Sequence, residues 1–105
     1  MGRVPDFRFL EETLLAAGET LRAMTGDGPA KKEVLKDVFR INHEMGRIAR
    51  EFPTLAPGLR EMQLEVNSMT IQIKREEVEG AMAAFARVSS CLQKVRETQT
   101  APEQG

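Results

Sequence analysis

The sequence predicts an all-α fold, an antiparallel bundle of amphipathic helices. Three observations carry that expectation. Apolar residues recur in alternating steps of three and four along four separate stretches, which is the spacing of one helix face. Gly and Pro cluster between the first three stretches. The 105 residues are 41% hydrophobic and 30% charged, an ordinary globular balance. A chain of this length is one domain, which buries roughly 60–70% of its unfolded surface.

Phe7, Leu10, Leu14, Ala17, Leu21 and Met24 form the first stripe. Asp6 stands where an N-cap is wanted, and Gly26 is a suitable C-terminal stop. Gly26-Asp27-Gly28-Pro29 reads as a turn, with Asp27 or Gly28 as cap and Pro29 at the first helical position of the next element. Val34, Val38, Ile41, Met45, Ile48 and Phe52 make the second stripe, which Pro53 ends. A second turn spans Thr54 to Gly58. Leu55, Leu59, Met62, Val66, Met69 and Ile73 form the third stripe, and Val78, Ala81, Phe85, Val88, Leu92 and Val95 the fourth. Residues 1–97 thus read as one bundle domain, and the polar stretch 98–105 as a disordered tail.

Lys74-Arg75-Glu76-Glu77 contains no Gly or Pro, and all four residue types favour helix. Two architectures follow. A turn here gives four helices; continuity gives three, the last running from about Pro57 to Arg96. Leu64, Ile71, Val78, Phe85 and Leu92 recur every seven residues through the junction, as a continuous helix would have them. Such a long helix needs a second copy to cover it. Leu64 and Ile71 lie nearly opposite the Met62/Met69 stripe. An apolar line on the outer side of a helix marks a partner surface.

Composition narrows the function. The net charge is −1, so bulk attraction to nucleic acid or an acidic membrane is not expected. There is no Trp or Tyr, so the core must be made largely from Leu, Val, Ile, Met, Ala and Phe. The lone cysteine, Cys91, excludes an internal disulfide and is compatible with a reducing compartment. No stretch approaches the roughly 20 apolar residues of a membrane span, and the N-terminus lacks a secretory pattern. A cytoplasmic location is expected. No phosphate-binding loop, dinucleotide fingerprint, zinc spacing or Ser/His/Asp set occurs.

His43 is the single histidine. Ile41 and Met45 bracket it at about 160–200° around the helix, so it should face solvent. Lys36, Arg40, Arg47 and Arg50 share its side and make a basic line. Asp37, Glu44 and Glu51 run beside that line and offset much of its field. With no aromatic interleaved for base stacking, an acidic protein partner is the expected use rather than nucleic acid. Met45, Met62, Met69 and Met82 read as core packing rather than a soft-metal site, and Cys91 as a buried, inert thiol.

Two resemblances accompany these readings. Phe9-Leu10-Glu11-Glu12 through Val38-Phe39-Arg40-Ile41-Asn42-His43-Glu44-Met45-Gly46 resembles the histidine phosphotransfer domains of bacterial signalling, covering roughly the first half of the chain. Their pattern is His-x-Leu-Lys-Gly; here His43-Glu44-Met45-Gly46-Arg47 exchanges the glycine and the basic residue. The resemblance implies His43 as phosphoacceptor, Arg40 or Arg47 to hold phosphoryl oxygens, and Gly46 to admit the partner. Phe85-Ala86-Arg87-Val88-Ser89-Ser90-Cys91-Leu92-Gln93-Lys94-Val95-Arg96 and the overall layout, including Ala49-Arg50-Glu51-Phe52-Pro53, are similar to four-helix-bundle cytochromes of the c-prime type. Their Cys-x-x-Cys-His falls on Cys91, Leu92, Gln93, Lys94 and Val95, without the second cysteine and the histidine. That resemblance implies a bundle that has lost its haem.

The expected function is non-enzymatic: a helical interaction or assembly protein without a cofactor, acting as a homodimer or with an acidic protein partner. Its expected surfaces are the apolar line Leu64/Ile71 and the basic line Lys36/Arg40/His43/Arg47/Arg50. Phosphotransfer through His43 and a degenerate haem-type bundle are the alternatives.

Overall fold

The computed structural model describes residues 5–24 and 28–100, the side chains of Gln99 and Thr100 excepted. The described residues form four helices: α1 (Arg8–Arg22), α2 (Pro29–Glu51), α3 (Ala56–Lys74) and α4 (Val78–Thr100). A short 3₁₀ turn over Pro53–Leu55 joins α2 to α3. The fold is the all-α bundle that the spacing predicts.

Each boundary has a local cause. The Arg8 N–H donates to Asp6 Oδ1 at 2.9 Å, so Asp6 satisfies one of the first-turn donors although Phe7 occupies the N-cap position. α1 ends at Arg22 with Ala23 as its C-cap; Gly26 and Asp27 lie outside the described residues. Gly28 is extended and caps α2 through its carbonyl, which accepts from Lys31 and Lys32 N–H, while Pro29 takes the first turn, where no N–H is missed. Pro53 has no N–H to extend α2, and Pro57 sits in the first turn of α3. α3 therefore begins at Ala56, inside the expected Thr54–Gly58 turn.

The junction at Lys74–Glu77 turns, so the three-helix architecture with one long C-terminal helix does not form. Glu76 adopts the left-handed conformation at φ 61°. The Glu77 N–H donates to the Gln72 carbonyl and the Glu76 N–H to the Ile73 carbonyl, each at 2.9 Å. These are the two hydrogen bonds of a Schellman C-cap, with glutamate where glycine is usual. A left-handed non-glycine residue costs about 1–2 kcal/mol. A continuous helix would leave Val88, Leu92 and Val95 without α3 beside them, and each such side chain stabilises by about 1.5–3 kcal/mol when buried. Packing outweighs the local strain. The seven-residue line through the junction is thereby split: Leu64 and Ile71 are exposed on α3, while Val78 and Phe85 are half-buried and Leu92 is buried on α4.

The helices meet in the cyclic order α1–α2–α3–α4–α1. Two ion pairs join opposite ends of neighbours, as antiparallel packing requires: Lys31 near the start of α2 meets Glu76 just past the end of α3 at 3.0 Å, and Arg96 near the end of α4 meets Glu11 near the start of α1. Arg87–Glu65 at 2.7 Å ties α4 to α3 near their midpoints. The bundle is elongated, with extents of 51 × 18 × 18 Å. Its core takes the four stripes together, among them Leu10 and Leu21, Ile41 and Ile48, Met62 and Met69, Val88 and Val95. Met45 is also buried and Met82 packs at the margin. α4 continues to Thr100, three residues into the segment expected as a disordered tail; 101–105 lie outside the described residues. No described helix is long and apolar enough to cross a membrane.

Candidate functional site

The basic line lies on α2 as periodicity requires. Lys36, Arg40, His43, Arg47 and Arg50 are all exposed. They are not electrically equivalent. Arg47 is gripped by Glu44, with Nη2–Oε2 at 2.6 Å and Nε–Oε1 at 3.0 Å, and reaches Glu51 at 3.3 Å. These carboxylates push its pKa further up and hold the fork along the helix surface. Arg40 pairs with Asp37 at 3.3 Å. Asp37 and Glu44 are themselves buried, at 5% and 8% exposure. Burial raises the Asp37 pKa, against the lowering effect of Arg40 and with Glu33 adding to the rise. Neither Lys36 nor His43 has an ion-pair partner among the described residues.

For the phosphoacceptor reading, His43 is exposed beside Arg40, which lines the same small groove. Arg47 is directed to Glu44 and Glu51 instead. Gly46 opens on the other flank of α2, into a groove toward α3 with Ala49, Leu59 and Gln63. Asn42, half-buried on that flank, has an Oδ1 without a hydrogen-bond partner. Cys91 is half-buried rather than buried, and burial, followed by Glu65 and Glu61, pushes its thiol pKa up. That thiol stays protonated and poorly nucleophilic at neutral pH. Among the described residues, no three His, Cys, Asp or Glu side chains converge as a metal site.

Leu64 and Ile71 are exposed on the outer face of α3, at 65% and 49%. At 1.5 Å per residue they stand about 10 Å apart, two turns along one line.

Sequence reasoning overlooked three further exposed apolar side chains, Phe9, Leu15 and Phe39. Phe39 is 72% exposed and sits between Lys36 and Arg40, so the basic line does have an aromatic interleaved with it. Lys32, Leu35, Lys36, Phe39 and Arg40 line a shallow, wide-open groove of about 530 Å³ on the face of α2 alone. A second groove, of about 240 Å³, continues from Phe39 and Arg40 to His43 and to Phe9 on α1. The signal was legible: Phe39 and Phe9 lie off their stripes, as Leu64 and Ile71 do.

No protein-family model, no curated protein and no solved structure matches the chain.

Proposed function

We propose that this protein is a non-enzymatic helical interaction module that self-associates as a homodimer by helix-on-helix packing. The exposed Leu64/Ile71 line on the outer face of α3 carries the reading. Two copies related by a twofold axis can lay α3 antiparallel on its counterpart, so that Leu64 of each meets Ile71 of the other. Burying both side chains removes from water an apolar line that a lone bundle leaves exposed. The basic line on α2 is then a second surface, for an acidic protein. With Arg47 held by its carboxylate neighbours, the geometry supports interaction better than phosphotransfer through His43.

Light scattering on the purified protein should return the mass of a dimer. Leu64→Glu with Ile71→Glu should return that of a monomer, with helicity by circular dichroism unchanged because neither side chain belongs to the core. A dimer in both proteins moves the interface elsewhere; a wild-type monomer removes self-association.

A further inference from the structure

We infer that the α1–α2 face, centred on Phe39, docks an acidic amphipathic helix of another protein. This deepens the interaction reading by naming a partner chemistry for the basic side of α2. Three observations meet here. The first is apolar: Phe39 is the most exposed large hydrophobic side chain described, and Leu35, one turn before it, and Phe9, from α1, extend the patch. The second is shape. The two grooves share Phe39 and Arg40 and together run from Lys32 to His43 along α2. The eleven steps from Lys32 to His43 rise about 16 Å, which accommodates about three turns of a partner helix.

The third is charge. Every ionisable side chain that lines either groove is basic or histidine, in a chain whose net charge is −1. Lys32 and Lys36 have no ion-pair partner among the described residues. Their ammonium groups are therefore available to a partner's carboxylates at the rim, while apolar anchors sit over Leu35 and Phe39. That division is the usual one for a helix in a groove, with anchors giving affinity and rim charges giving register and rate. An aromatic beside lysines could also stack a nucleic-acid base. Aliphatic Leu35 on the floor and the short run of cations favour a peptide with apolar anchors over a polyphosphate backbone.

The test uses the full chain and a fluorescein-labelled helical peptide of about 15 residues, with Leu at alternating third and fourth positions and Glu elsewhere. Fluorescence anisotropy should show saturable binding that weakens as salt rises. Phe39→Glu should weaken binding at least about tenfold, or 1.4 kcal/mol, and Lys32→Glu with Lys36→Glu should weaken it at low salt. All three positions are exposed, so folding is not at stake. Leu15→Glu, which alters an exposed leucine outside both grooves, should leave binding unchanged. The inference is overturned by no saturable binding, by equal affinity for a scrambled peptide of the same composition, by indifference to Phe39→Glu, or by tighter binding of an oligothymidylate. If the peptide fails while the wild type is a dimer sensitive to Leu64→Glu with Ile71→Glu, self-association stands and only the docking site falls. If a wild-type monomer binds the peptide, the docking site stands and self-association falls.

Discussion

At the scale of single residues, close contact decides what substitutions do. Gly18 in α1 lies against the ring of Phe85 from α4; a Cβ there would come within 2.5 Å of Phe85 Cζ. Helix propensity alone would make Gly18→Ala stabilising by about 1 kcal/mol. Displacing a ring wedged between helices costs about 1–3 kcal/mol, so the substitution should lower the unfolding free energy by about 1 kcal/mol. Denaturant titration checks this, and a stabilised Gly18→Ala variant would show that Phe85 swings out freely. Asp37 makes a different kind of prediction. Burial holds its carboxyl above the ordinary aspartate value, so its ionisation opposes folding. The stability linked to it is fully present below about pH 3.9 and falls as pH rises through the raised value. Asp37→Asn should therefore stabilise the protein at pH 7, with the gain vanishing near pH 3. A midpoint at pH 7 unchanged or lowered by Asp37→Asn would mean that the Arg40 pair outweighs burial.

At the scale of elements, the α3–α4 junction shows tertiary packing overriding local preference. Lys74-Arg75-Glu76-Glu77 favours helix residue by residue, yet Glu76 is left-handed and its carboxylate meets Lys31 in the first turn of α2 at 3.0 Å. Those two roles can be separated. In a Lys31→Ala background, where the ion pair is gone, Glu76→Gly should raise the unfolding free energy by about 1 kcal/mol by relieving the backbone. In the wild-type background the same substitution also removes a partly exposed ion pair worth at most about 1 kcal/mol, so the gain should shrink toward zero. Thermal or denaturant unfolding of the four proteins gives the cycle; a loss in the Lys31→Ala background would mean that the turn does not strain Glu76. The other boundaries needed no such contest. Pro29 and Pro53 sit where the missing N–H starts or ends a helix, so the sequence marks those boundaries directly, whereas α3 starts at Ala56, one residue before Pro57 and inside the expected turn.

At the scale of the whole molecule, the bundle is a rod whose outward faces differ in chemistry. The outer face of α3 offers two aliphatic side chains, and the α1–α2 face offers phenylalanines rimmed by cations. Leu64 and Ile71 line neither of the α1–α2 grooves, so the two proposed contacts should be independent: Leu64→Glu with Ile71→Glu should leave peptide affinity unaltered. The sequence by itself determined the four apolar stripes, the proline and glycine punctuation, and the outward placement of His43, Leu64 and Ile71, because one helical period fixes which side chains share a face. Phe9 and Phe39 face outward by the same rule. The grip of Glu44 and Glu51 on Arg47 was legible too, because it lies within α2 at three- and four-residue spacing. Only the tertiary structure decided that Glu76 turns the chain and that Phe9 from α1 joins Phe39 and His43 in one groove. These outcomes depend on which helices become neighbours and on where flexible side chains settle. Periodicity along one helix sets neither, because packing between helices weighs contributions from distant parts of the chain against each other.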